Sequence, residues 1–106
     1  MSTPYRVVAS VTFQEDVERL EEHIVQNELA STTPDDTCLI RFRDAVERAM
    51  SILSFAPHTC RRSEQQKEFR ELVIPFGHGG CVVLFAIRDL DVILLAARDQ
   101  HEHDYR

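Results

Sequence analysis

Apolar residues predict strands near the start of the chain and through its second half. In residues 5–11 every second side chain is apolar, which is the period of a strand with one face better buried than the other. Residues 69–76 alternate in the same way, 81–88 are rich in Val, Leu, Phe and Ile, and 92–97 are apolar throughout. The apolar run suits a strand covered on both faces. Turns rich in glycine and aspartate separate the last three strands, so we expect a three-strand meander.

A first helix is predicted after the opening strand. Its apolar stripe advances in steps of four and three and consists of Phe13, Val17, Leu20 and Ile24. This spacing is typical of a helix with one buried face. Thr12 to Glu15 has the Thr-x-x-Glu form of a capping box, which predicts that the helix begins at Thr12.

A second helix is predicted over residues 34–55. Thr33 can cap it, Pro34 suits its first position, and Pro57 ends it near Phe55. Its expected buried stripe consists of Leu39, Phe42, Val46, Ala49, Met50 and Leu53. Residues 58–67 are polar and lack periodicity, so we interpret them as a surface loop.

The element order is strand, helix, helix and three strands, or β-α-α-β-β-β. This order predicts an α+β fold in which a two-helix hairpin packs on one face of a small, mostly antiparallel sheet. The opposite face of the sheet is then partly open. No repeat or linker divides residues 1–106, so we expect a single domain.

Charge is distributed unevenly along the 106 residues, whose net charge is −6. Residues 1–36 hold eight acidic side chains and two arginines, whereas residues 37–106 hold ten of each sign. Eleven of the twelve cations are arginine, which suits bidentate recognition of carboxylate or phosphate. The predicted sheet is therefore neutral, and the acidity of the chain does not exclude a nucleic-acid target there.

The cysteines favour a cytoplasmic location, because Cys38, Cys60 and Cys81 are odd in number and form no Cys-x-x-Cys motif. No apolar run has the length needed to span a bilayer, so we expect no membrane segment. His101 and His103 lack a second ligand pair, and we predict no metal and no cofactor.

Several stretches follow one another in the order and spacing of a known family. They are the first strand running into 12–17, then 45–57, 69–73, 82–87 and 92–102. Arg98-Asp99-Gln100-His101-Glu102, with Tyr105 beyond, stands where many members have Arg-His-Gln-Arg-Glu followed by a tyrosine. On these stretches the sequence resembles toxins of the RelE/ParE superfamily, the growth-arresting half of bacterial type II toxin–antitoxin pairs.

The resemblance implies an antitoxin partner, a hetero-oligomer with it, a role in plasmid stabilisation, and one of two mechanisms. RelE-like members cut mRNA in the ribosomal decoding site. ParE-like members are not nucleases and inhibit DNA gyrase by binding it. For the nuclease alone, the resemblance and the chemistry of 2′-hydroxyl attack point to four catalytic candidates, Arg70, Arg98, His101 and Tyr105.

Three positions depart from the nuclease pattern. Val82 stands where that branch has an arginine early on the third strand, and Asp99 and His101 replace a histidine and an arginine. Because one positioned cation is worth several kcal/mol to a reaction that builds negative charge, these departures favour ParE-like action. The alternatives are a ribosome-dependent mRNA endonuclease and an inactive toxin-fold module that only binds protein.

The same residues also have structural interpretations. Arg70 and Arg98 can pair with Glu71, Asp99 or Glu102 and fix the strand ends. We expect an antitoxin to wrap the helical pair and an edge of the sheet. The acidic first helix favours a basic antitoxin segment, whose association high salt should slow.

Overall fold

The structure is a computed structural model, and it describes residues 4–33, 37–77, 79–102 and 104–105. The first half of the chain forms β1 (Arg6–Ala9), α1 (Val11–Leu29) and α2 (Cys38–Phe55). After a 3-10 turn at Pro57–Thr59 come β2 (Arg61–Arg62), β3 (Arg70–Phe76), β4 (Gly79–Arg88) and β5 (Asp91–Asp99). The predicted β-α-α-β-β-β order is confirmed, with one short strand added.

The strands form one sheet in the order β1-β5-β4-β3-β2. β1 lies parallel to β5, and the other neighbouring strands are antiparallel. The meander of β3, β4 and β5 therefore makes the centre of the sheet, while β1 and β2 form its edges. This is the mostly antiparallel sheet that the sequence predicts.

The main hydrophobic core lies between the two helices and one face of the sheet. Phe85 and Leu53 are fully buried, and Leu94 is nearly so. Residues directly opposite across antiparallel strands point to the same face, so Leu72, Val83 and Ala97 share this side. The core follows from the predicted stripes and from strand alternation.

The start of α1 differs from the capping-box prediction, which was wrong. The N-cap is Ser10, whose Oγ accepts a hydrogen bond of 3.1 Å from the backbone N–H of Phe13, and the helix begins at Val11. Both Ser10 and Thr12 are good cap residues. Ser10 prevails because it directly follows β1 and keeps an extended backbone, which places its hydroxyl over the first helical turn.

α2 ends at Phe55, as predicted, and in the described part of the chain it begins at Cys38. The predicted start at Pro34 lies outside the described residues. The loop expected at 58–67 is partly wrong, because Arg61 and Arg62 pair with β3 as β2. Two residues are too few to show periodicity. No helix among the described residues is both long and apolar enough to cross a bilayer.

Side chains complete the outer edge of β5 where β1 ends. The Oγ of Ser10 donates to the carbonyl of Leu95 at 3.2 Å. The buried carboxylate of Asp16 accepts from the backbone N–H of Ala97 at 2.9 Å, and Glu102 accepts from that of Asp99 at 3.0 Å. These bonds hold the last part of β5, from which the C-terminal tail leaves the sheet.

Candidate functional site

The candidate site lies on the sheet face that the helices do not cover. Glu71 is opposite Leu84, and Arg98 is opposite Val82. Leu84 and Val82 are two residues apart on β4, so Glu71 and Arg98 share this face. The C-terminal tail, meaning residues 100–102 and 104–105, brings Tyr105 to the same place.

Glu71 is the centre of the site. Glu71 is 8% exposed, and its carboxylate accepts from the hydroxyl of Tyr105 at 2.8 Å and from Nε of Arg61 at 3.2 Å. Nη2 of Arg98 lies 4.0 Å from the oxygen that Tyr105 uses. Because burying an unpaired carboxylate is costly, these three partners are what make a charged Glu71 tolerable here.

Arg98 holds the beginning of the tail. Its Nη1 donates to the carbonyl of Glu102 at 2.5 Å and, at 3.3 Å, to that of Asp99. Its guanidinium carbon lies 5.2 Å from the ring centre of Tyr105, which is within cation–π range. Its buried Nε has no hydrogen-bond partner among the residues that the structure describes.

These residues line a cavity of about 380 Å³, which we call the arginine pocket. Its walls are Arg61, Arg62, Ser63, Glu64, Gln65, Glu71, Arg98 and Tyr105. A hydrogen bond of 2.9 Å from Gln65 Nε2 to Asp104 Oδ1 ties the tail to the opposite wall. Three cations and two carboxylates therefore face one another across the pocket.

The phenol of Tyr105 is held in its protonated form. Burial raises its pKa most, and the hydrogen bond to Glu71 raises it further, whereas Arg98 opposes the shift. The hydroxyl is consequently a hydrogen-bond donor at neutral pH. It is not available there as a base.

The structure brings two of the four catalytic candidates together, Arg98 and Tyr105. Arg70 lies on the helix side of the sheet, opposite Phe85, and its Nη1 donates to the carbonyls of Cys60 at 2.7 Å and His58 at 3.3 Å. Arg70 therefore fixes the 3-10 turn. Arg70 does not converge with Arg98 and Tyr105, because neighbouring strand residues point to opposite faces.

His101 also lies away from the arginine pocket. It lines a second cavity, of about 640 Å³, together with Arg19, His23 and Asp99 on the α1 side of the sheet. Its ring packs against Gly79, where an added Cβ would come within 3.2 Å of His101 Nε2. His103, the other imidazole considered in the tail, lies outside the described residues.

The positions that depart from the nuclease pattern have clear structural roles. Val82 is 1% exposed and faces Arg98 across the strands, so the centre of this face is apolar. Asp99 accepts from the backbone N–H of His101 at 2.9 Å and lines the second cavity. The carboxylates that line the arginine pocket are those of Glu64 and Glu71, and Asp99 is not among them.

The sequence predicts Glu71 as a partner of the arginines and Arg61 as part of a loop. It does not predict that both residues belong to the site. Strand alternation already puts Glu71 on the face opposite Leu72 and Ile74. The signal for Arg61 was absent, because β2 is visible only in the pairing. The described residues contain no group of three or more His, Cys, Asp and Glu side chains arranged to hold a metal ion.

The fold is shared with two solved structures. A chain of the chromosomal ParDE TA system from P. aeruginosa superimposes with a TM-score of 0.68 at 13% identity, covering 95% of this chain and 100% of that one. The conserved hypothetical protein HP0894 from Helicobacter pylori gives 0.56 at 19% identity, covering 92% and 97%. No family model and no curated protein matches the sequence. The fold that the RelE/ParE resemblance implies is confirmed.

Proposed function

We propose that this chain is the toxin of a type II toxin–antitoxin pair, that residues 1–106 act as one RelE/ParE-like domain, and that it arrests growth through DNA gyrase without cutting RNA. The shared fold with a chain of a ParDE system supports the toxin assignment. The five stretches that carry the sequence resemblance support it independently, since they lie along nearly the whole chain.

The observation that carries the non-nuclease part is the position of Glu71. Cleavage by a 2′-hydroxyl builds negative charge on a phosphate, which needs cations that are free to follow that charge. In the arginine pocket Arg61 and Arg98 already face the carboxylate of Glu71, at 3.2 and 4.0 Å. A phosphate entering here would meet a fixed negative charge.

The side chains that could transfer a proton also argue against a nuclease. A general base must lie within hydrogen-bond reach of the proton that it takes and have a pKa near the working pH. The hydroxyl of Tyr105 donates to Glu71 at 2.8 Å, and burial raises its pKa above the ordinary phenol value, which is itself well above neutral pH. His101 lines the other cavity, away from the arginine pocket.

The antitoxin is proposed to bind along α1 and a sheet edge. Glu15, Glu18 and Glu22 lie on the exposed side of α1, with Val25 and Leu29 exposed after them. A basic segment with apolar residues at one end fits such a surface. The association rate should then fall as salt rises, and a rate that does not change would contradict this partner chemistry. The gyrase target fits a cytoplasmic protein, and so do the three cysteines, which form no disulfide among the described residues.

A ribosome-dependent mRNA endonuclease is the second candidate. The observation in its favour is that Arg61, Arg62 and Arg98 line one pocket beside Tyr105. An inactive toxin-fold module that only binds protein is the third. These candidates differ in what they predict for a growing cell.

Induction of the chain alone in a bacterial host tests the proposal. We expect growth to stop, plasmid supercoiling to fall, and mRNA probed across coding regions to remain full length. His101→Gln and Tyr105→Phe should still arrest growth, whereas either change should abolish a nuclease that depends on these groups. Continued growth of the induced culture would remove the toxin function, and cut mRNA would establish the endonuclease instead.

A further inference from the structure

Glu71 acts as an internal counter-charge for the arginine pocket. One of its oxygens accepts a hydrogen bond from Nε of Arg61. The other accepts one from the hydroxyl of Tyr105, and Nη2 of Arg98 lies 4.0 Å from it. An anion from another molecule would need the same guanidinium donors, since the planar fork of arginine is what recognises carboxylate and phosphate. Glu71 therefore occupies the position in which an external anion would bind.

The tail contributes Tyr105 to the lining of the same pocket. Tyr105 lies against the guanidinium of Arg98, and Asp104 is bonded to Gln65 on the opposite wall. Arg98 itself holds the tail through the carbonyl of Glu102. Hydrogen bonds thus hold Glu102, Asp104 and Tyr105 of the tail, and the one made by Tyr105 ends on Glu71.

We propose that Glu71 sets the ligand class of the arginine pocket, excluding polyanions such as single-stranded nucleic acid, and that Tyr105 latches the C-terminal tail over the pocket by bonding to Glu71. Glu71 is a specificity residue in this scheme, because it supplies the charge that a phosphate would otherwise supply. Docking of the tail depends on the carboxylate of Glu71. The role of this exclusion in the cell rests on the proposed non-nuclease function, whereas the contacts of Glu71 do not depend on it.

The charges of the pocket predict the consequence of losing Glu71. Arg61, Arg62 and Arg98 face two carboxylates, Glu64 and Glu71, so the lining carries one excess positive charge. Glu71→Gln doubles that excess and frees two guanidinium groups from their counter-charge. Glu22→Gln changes the net charge of the protein equally, but Glu22 is exposed on α1 and does not line the pocket. The two variants therefore separate a local effect from a general one.

Binding of a fluorescent single-stranded RNA oligonucleotide to the full chain, at low salt and in the presence of a ribonuclease inhibitor, tests the exclusion. We expect Glu71→Gln to bind about tenfold or more tightly than the unchanged protein, and Glu22→Gln to differ from it by less than about twofold. Equal effects of the two substitutions, or tight binding by the unchanged protein, would overturn the proposal. Circular dichroism establishes that each variant is folded. The readout is binding, so it stands apart from any result on growth or gyrase.

The contact between Tyr105 and Glu71 can be measured independently, in a protein that carries one substitution elsewhere. The chain has two tyrosines and no tryptophan, so Tyr5→Phe leaves Tyr105 as the only phenol. Its ultraviolet titration should show a pKa above the ordinary value of about 10. Because this pKa is higher in the folded than in the unfolded chain, the docked tail contributes stability below pH about 10 and loses it as pH rises through the folded pKa. An ordinary titration would show that the tail is not latched.

Discussion

The two halves of β5 are held in different ways. Residues 91–94 pair with β1 through the backbone, in the register Arg6 to Asp91 and Ala9 to Leu94. Residues 95–99 continue past the end of β1, and side chains of Ser10, Asp16 and Glu102 bond their outer edge. The pairing with β4 shifts at the same point, between Leu84 and Phe85.

The difference shows which half of β5 a local sequence pattern is sufficient to specify and which half it is not. A backbone-paired strand needs only apolar residues at the right period, because the hydrogen bonds are the same for every residue. The second half needs particular side chains from residues about eighty positions away along the chain. The candidate site belongs to this second half, since Arg98 and the tail extend from it.

The largest effect should come from the core beneath the backbone-paired half. Phe85 is fully buried and lies opposite Leu94, so Phe85→Ala removes a whole aromatic side chain and leaves a cavity. We expect the free energy of unfolding to fall by about 3–5 kcal/mol in urea titration. A loss below about 1 kcal/mol would show that this half does not depend on core packing.

The next largest effect tests the side-chain-held half. Asp16→Ala removes the acceptor for the buried N–H of Ala97 and the partner of Arg19, which lies 2.8 Å away. We expect a loss of about 2–4 kcal/mol, because a buried donor and a partly buried cation lose their partner together. Glu18→Ala, on the exposed side of the same helix, is the matched control. Equal losses for the two variants would mean that Asp16 does not hold β5.

A smaller loss is expected at the junction of the two halves. Ser10→Ala removes both the cap of α1 and the bond to Leu95, and should cost about 1–2 kcal/mol. Thr12→Ala is the matched control, since Thr12 lies in the first turn of the helix and is not its cap. Thermal unfolding of both variants decides between them. A greater loss for Thr12→Ala would restore the capping box that the sequence suggested.

The smallest effect should come from the exposed end of the backbone-paired half. Arg6 makes two hydrogen bonds to Asp91, at 3.0 and 3.2 Å, but its side chain is mostly in solvent. Water and salt screen such a pair, and holding the two side chains costs conformational entropy. Arg6→Ala should leave the urea midpoint unchanged at low and at high salt. A clear shift would show that side chains also hold this half.

The sequence predicted most of the fold because its elements repeat a simple period. The stripe of Phe13 and Leu20 and the meander depend on such periods, and Pro57 marks the end of α2 near Phe55. Three features could not be predicted in the same way. The two-residue β2 has no period, Ser10 and Thr12 are equally good caps by type, and the buried carboxylate of Asp16 is indistinguishable in sequence from its exposed neighbours.

The candidate site was predicted in part, and the reason is geometric. Arg98 and Tyr105 were identified by their place in the terminal run, and they do meet. Arg70 was assigned by strand and not by face, and the one-residue offset from Glu71 puts it on the other side of the sheet. His101 follows a turn whose direction depends on contacts of Asp99 and Glu102, which no period encodes.

Addition of the purified chain to DNA gyrase and relaxed plasmid tests most directly whether the protein inhibits gyrase without cutting RNA. The result we predict is loss of supercoiling that deepens with the amount of chain added, while mRNA on programmed ribosomes stays full length with the same preparation. Tyr105→Phe should inhibit gyrase as the unchanged protein does. Full supercoiling activity in the presence of excess chain, together with cleaved mRNA, would contradict the account.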